Sequence, residues 1–258
     1  MNTLAKLLSV SVIGLCSSTA MAQTTVSLGY LIHDQESLDN NLNQFDRSTV
    51  SLAHVNAGDW GRIVTVGVVD NIEKSSGYSG PANHGEDWQT YKLLFKGDIK
   101  TGIDNLNYMV VDSAYYNVNG YENNMAFGLS YDLNAWNAKW HFAAGYMYSS
   151  GSNAWGTDFQ GKWGGYYTRI QFNKPVTDKI AVSAIYTGML DRSQEHADIM
   201  YGGVGEMNGD KNGYSAKLTL SYAFTKKLKG GASLLHNSAW YGYKDEANIF
   251  ELSASYSF

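Results

Sequence analysis

The sequence predicts an all-β protein: a 12-stranded antiparallel transmembrane β-barrel of the bacterial outer membrane. Three observations predict it: an alternating last stretch that ends on Phe258, an export signal at the other end, and strands whose connections alternate between long and short. In the last stretch, Phe250, Leu252, Ala254, Tyr256 and Phe258 fall on one face of an extended strand, and Glu251, Ser253, Ser255 and Ser257 on the other. A soluble sandwich also alternates. A terminal aromatic residue is what outer-membrane barrels use as the assembly signal of their closing strand.

At the amino-terminal end, Lys6 precedes an apolar run from Leu7 to Leu15, and Ala20-Met21-Ala22 forms a small-x-small cleavage site. This is the pattern of a secretory signal peptide over 1–22, leaving 23–258 as a single barrel domain. A lipoprotein signal would want a small residue where Leu15 stands. The only cysteine, Cys16, leaves with the signal, so the mature chain has no disulfide, thiol nucleophile or cysteine-based metal site. No cofactor or metal is expected.

Composition agrees with that class. The chain of 258 residues carries 19 Tyr, 7 Trp and 9 Phe but only 2 Pro, and is 44% hydrophobic without any apolar run long enough for a helical span. In a barrel, apolar and polar positions alternate and average out. The formal net charge of −5 argues against a nucleic-acid partner.

In chain order, alternation predicts strands at 24–33, 47–55, 60–70, 88–97, 103–117 and 124–132, then at 138–149, 163–172, 179–191, 213–224, 230–240 and 248–258. Connections after even-numbered strands are short, and those after odd-numbered strands mostly long. Periplasmic turns and extracellular loops differ in this way. Two interfacial girdles are expected: Tyr131, Trp140, Phe172, Tyr222, Phe224 and Phe258 near the turns, and Tyr30, Tyr148, Tyr166, Tyr186, Tyr214 and Trp240 near the loops.

A twelve-stranded barrel leaves a narrow lumen in which individual side chains matter. Strand phase places Arg47, Lys92, Lys96, Lys139, His141, Tyr167, Arg169, Gln171, Lys217 and Glu251 inside, with Arg62, Asp70 and Asp112 joining them. A Lys or Arg facing lipid at mid-membrane costs ~2–4 kcal/mol, which is why charges report the phase.

The segment from Trp163 to Asp178, W-G-G-Y-Y-T-R-I-Q-F-N-K-P-V-T-D, resembles the Trp-x-Gly-Tyr strand and Pro-(Ile/Val)-Thr-Asp turn of the nucleoside-specific channel family, Tsx and its relative OmpK. Thr49 to Gly61 and Phe127 to Leu133 are similar to further segments of that family. The resemblance implies a monomeric, narrow channel passing nucleosides by facilitated diffusion, with extracellular loops that phages use as receptors. Arg62 departs from it, standing where the family has an acidic residue. A nucleoside needs aromatic faces for its base and polar groups for its ribose. Trp88, Trp163 and Tyr167 are candidates for the former, and Lys92, Arg169, Gln171 and Lys217 for the latter.

Two other functions compete. A porin for acidic sugars would suit the basic lumen, although such pores are lined with many arginines and this chain has only four. An outer-membrane phospholipase-type hydrolase would use an outward His and Ser on one strand, as in His236-Asn237-Ser238, but the sequence offers no clear Asn or Asp to orient His236. No H-E-x-x-H, P-loop or G-x-S-x-G is present. The loop 202–213 has Asp, Asn and Gly without EF-hand spacing. The expected chain is therefore not an enzyme but a monomeric channel whose partners are a small solute and outer-membrane lipid.

Overall fold

A computed structural model describes residues 21–41, 44–72, 89–117, 120–153, 156–202 and 208–258. The signal peptide up to residue 20, Trp88 and the centre of the 202–213 loop therefore lie outside the described residues.

The twelve predicted strands are all present: β1 (Met21–His33), β2 (Arg47–Gly58), β3 (Gly61–Asp70), β4 (Thr90–Lys100), β5 (Leu106–Asn117), β6 (Gly120–Ala135), β7 (Ala138–Asn153), β8 (Asp158–Pro175), β9 (Ile180–Leu190), β10 (Gly213–Ala223), β11 (Leu228–Ser238) and β12 (Ala247–Ser257). Each pairs antiparallel with its sequence neighbours, and β1 pairs β12 to close the ring. Closure satisfies every strand edge, which is the only way a sheet can stand in hydrocarbon. Among the described residues, two short helices are not part of the wall, α1 (Gln35–Asn40) between β1 and β2 and α2 (Gln194–Tyr201) between β9 and β10. Asp34 caps α1 by accepting from the Ser37 backbone N–H, and Ser193 caps α2 through His196.

The outer face carries the apolar residues. Leu28, Leu52, Phe127, Leu129, Leu218, Leu220, Leu234 and Leu252 are exposed there, with Tyr and Trp toward the ends. A surface of this kind is stable only in lipid, so the barrel is a bacterial outer-membrane protein.

The β5–β6 and β7–β8 connections differ from expectation. Strands β6, β7 and β8 run on to 16, 16 and 18 residues, so most of the loop expected at 150–162 is extended hairpin. A bulge sits in it: the β7–β8 register shifts between Met147 and Tyr148, where Gly165 stands at φ +89°. A side chain at Gly165 would meet the Leu190 carbonyl oxygen at 2.0 Å, so this bulge requires glycine.

A candidate solute path through the barrel interior

Residues paired across strands share a face, so the registers assign the lumen. Arg47, Arg62, Asp70, Lys92, Lys96, Lys139, His141, Tyr167, Arg169, Gln171, Lys217 and Glu251 all take the inward phase, as the sequence indicates. Lys139 lies exposed at the β6–β7 turn, at the periplasmic mouth.

Two residues are corrected. Trp163 pairs with Tyr148 on the outer face and packs edge-on against Tyr148 and Tyr166. The bulge after it inverts the phase, so its ring joins the outer girdle and cannot serve a solute in the lumen. Asp112 pairs with Phe95 and Met125, both exposed on the lipid side, and one of its carboxylate oxygens is buried without a partner. Sequence phase failed on β5 because both of its faces are apolar: Met109 and Val111 point inward and Tyr108 and Val110 outward.

Inside, three layers can be followed from the periplasmic side. In the lowest, Asp98 holds Arg62 at 2.7 Å and Lys96 at 3.3 Å, and accepts from Ser130 at 2.7 Å. His141 joins them, its Nδ1 facing the Asp132 carboxylate at 2.8 Å and its Nε2 contacting the Lys96 ammonium. The Nε2 thus accepts while Nδ1 donates. Lys96 and Asp98 are buried, so both charges are stable only as a pair.

Above lies an apolar layer. Met109, Val111, Ala126, Ala143, Met147, Tyr167 and Met189 bury one another against Leu94, all from β4 to β9. Tyr167 is only 3% exposed, so its ring face is taken up by this packing. Arg169, beside it, donates to Thr187 and Gln171 at 3.3 Å each.

The third layer is made by connections folding inward. After β11 the chain turns at Ala239 (φ +43°) and Tyr241 (φ +37°), which ends the strand phase. Trp240, expected in the outer girdle, instead packs on the apolar layer with Tyr241, and this is a third correction. Tyr241 reaches Ser113 of β5 and Asn124 of β6, and stacks on Tyr115 at 5.8 Å. Strands β11 and β5 are six places apart in a ring of twelve, so this segment crosses the lumen. Tyr243 continues it, meeting His33 at 3.0 Å and Arg47 at 3.2 Å, while Arg47 also faces Asp70, which pairs Lys92 at 2.8 Å.

Helix α2 braces the crossing. His196 and Tyr201 bond the two carboxylate oxygens of Glu122 at 2.8 and 2.6 Å, all three fully or almost fully buried. Phe159 stacks on His196 at 4.6 Å, and Arg192 lies 4.2 Å over the Tyr201 ring while donating to the Ala239 carbonyl. Burial first, and then the Glu122 charge, hold the Tyr201 and Tyr241 phenols protonated well above their usual range.

The opposite wall is different. From β9 through β12 and β1 to β2, the inward positions of the periplasmic half are Ser183, Thr219, Ser221, Gly231, Ser253, Ser255, Ser27, Gly29, Thr49 and Ser51, half-buried and small. At mid-height the ion pair Lys217–Glu251 projects from this side beside Ile185 and Leu235, and above it Leu31, Ile249 and Leu235 pack with Tyr243. These inward side chains keep partial exposure, whereas many inward side chains of β4 to β8 are buried. The sequence places Ser253 and Ser255 on the face of Glu251, but the lopsided filling depends on which strands face each other.

The hydrolase reading gains one partner and lacks another. Asn248 of β12 sits 2.8 Å from His236 Nδ1, supplying the orienting group the sequence did not reveal. His236 Nε2 faces Tyr214 at 2.8 Å rather than Ser238, so no nucleophile is presented to it.

No protein-family model matches the chain, and no curated protein matches it. Among solved structures, it is similar to the KdgM porin, alone and in complex with disordered oligogalacturonate, at 8% identity and a TM-score of 0.51 over 91% of this chain and 99% of that one. The outer membrane protein Omp33 of Acinetobacter baumannii is similar at 12% identity and a TM-score of 0.44 over 92% and 98%. At 8% identity the likeness to the KdgM porin shows the fold alone, that of an outer-membrane barrel.

Proposed function

We propose that this protein is a narrow outer-membrane channel for small polar solutes, held closed by its own 239–243 segment, with nucleosides as the favoured class. The observation that carries this reading is the lopsided lumen: a continuous small-residue wall of Ser, Thr and Gly, stoppered by a loop that enters from the extracellular end. A purely structural barrel gains nothing from leaving one wall thin.

Nucleosides are favoured over polyanions because most interior cations already share a carboxylate. Asp70 bridges Arg47 and Lys92, Asp98 bridges Arg62 and Lys96, and Glu251 pairs with Lys217, while Arg169 is held by Thr187 and Gln171. Aromatic faces come from the half-buried Tyr241 and Trp240 at the crossing, where Ser113 and Asn124 supply hydroxyl and amide partners. These replace the Trp163 and Tyr167 platforms of the sequence reading. The protein acts by diffusion, without catalysis.

A second reading, acidic sugars, is supported by the inward cations, which outnumber the inward carboxylates in the transmembrane layers. The KdgM structure bound to oligogalacturonate gives that reading a concrete ligand to test. Conductance of the purified protein in planar bilayers decides: saturable block by nucleosides is expected, and block by an oligogalacturonate alone would install the second reading. Absence of conductance in both wild type and Tyr241→Gly would overturn the channel.

A further inference from the structure

The outer wall carries a concave apolar groove that the channel reading does not use. It has a volume of about 830 Å³ and follows one cross-strand row, Phe172, Ala184, Leu218, Leu234, Phe250 and Ile32, from β8 to β1. Ala184 and Ala216 make its floor, and the outward residues Ala184, Tyr186 and Ala216 are half-buried where outward residues elsewhere, such as Leu52 and Leu129, are exposed. Because strands tilt ~40° to the barrel axis, a row perpendicular to them runs obliquely. It starts near the periplasmic turn ends of β7 and β8 and rises to the extracellular end of β1.

At the raised end the groove meets a polar chain. Tyr214 hydroxyl stands 2.8 Å from His236 Nε2, His236 Nδ1 stands 2.8 Å from Asn248 Oδ1, and Asn248 Nδ2 donates to Asp34 at 3.0 Å. The Asp34 carboxylate fixes the Asn248 amide, so Asn248 Oδ1 accepts from His236 Nδ1, and Nε2 in turn accepts from Tyr214. Four polar side chains on the lipid side, at the level where headgroups begin, make an apolar trough with a hydrogen-bonding head.

We propose that this groove is a specific binding site for the acyl chain of an outer-membrane lipid, whose ester or hydroxyl end meets the Tyr214–His236–Asn248 chain. The occupant follows from position: the trough is continuous with the lipid-facing belt, and everything that reaches it comes through hydrocarbon. Five strand spacings of ~4.8 Å give it a length of roughly 24 Å, against roughly 15 Å for one leaflet of the hydrocarbon core. One chain lies along it with its polar end at the extracellular rim.

The test is native mass spectrometry of the full protein in mild detergent after exhaustive delipidation, with palmitoyl-oleoyl phosphatidylethanolamine added back. Wild type is expected to retain one lipid, and Ala184→Trp/Ala216→Trp, which fills the floor, to retain at least tenfold less. His236→Leu, which removes the head contacts, is expected to show a similar loss, while Ala144→Trp on the outer face of β7 behaves as wild type. Heat-modifiable migration establishes folding, and His236→Leu alone decides if the double variant does not fold. Equal retention by wild type and the folded groove variants overturns the site. So does a wild-type dimer that the floor variant dissolves, because the groove would then be a face for a second copy.

Discussion

At the scale of single residues, the interior is governed by pairing and the exterior by lipid. Asp98 satisfies two cations while buried, so Asp98→Asn strands Lys96 and Arg62 and is expected to cost about 3–5 kcal/mol, measured by urea unfolding from lipid vesicles. Asp112 presents the opposite case. It faces lipid with one unpartnered oxygen, where a carboxylate costs less than the ~2–4 kcal/mol of a Lys or Arg but still costs something. Asp112→Leu is therefore expected to stabilise the barrel by about 1 kcal/mol in the same assay, and a loss of stability would mean that its hydrogen bond to Asn123 outweighs the cost of its burial. The residue-level errors share one cause. Trp163, Asp112 and Trp240 were placed by strand phase, and phase is legible only where polar and apolar residues alternate without a bulge or a break.

At the scale of elements, three local devices decide what the lumen contains. The first is the Gly164–Gly165 bulge, which turns Trp163 outward; Gly165→Val meets the Leu190 carbonyl and is expected to impair folding, read as lost heat-modifiability. The second is the turn after β11, whose positive-φ residues let Trp240 and Tyr241 leave the strand and cross the barrel. Tyr241→Gly removes the bonds to β5 and β6, and a several-fold rise in single-channel conductance is expected. The third is α2, docked through His196, Tyr201 and Glu122. Tyr201 must keep its proton to donate to Glu122. Its raised pKa contributes stability that is fully present below the ordinary tyrosine value of ~10 and is lost as pH rises through the higher folded value. Conductance is accordingly expected to stay low up to pH ~10 and to rise only beyond it, and Tyr201→Phe is expected to remove that alkaline step.

At the scale of the whole molecule, closure makes the proposed channel selective. Twelve strands leave room for one file of side chains, and the β4–β9 half uses it for an apolar packing that excludes water. The other half, small, polar and partly exposed toward the periplasm, is the side the proposed channel gives a solute, which must displace the Tyr241 crossing to pass. Single-channel records with and without nucleoside read this directly: wild type is expected to show brief, rare openings, and Tyr241→Gly long ones that nucleosides block.

The sequence by itself determined the barrel, its twelve strands, its outer-membrane address and most of its inward cations, but not the inward carboxylates Asp98, Asp132 and Glu122. Period-two patterning against lipid is a strong constraint that each strand satisfies alone: Leu252 and Glu251 need no partner strand to show which face each takes. Only the tertiary structure decided what those charges do. Lys96, Asp98 and His141 come from two strands that the ring brings together, and Tyr241 meets Ser113 across the full width of the lumen. Both depend on which strands face each other around a closed circle, and pairings between residues far apart in the chain leave no mark on local alternation.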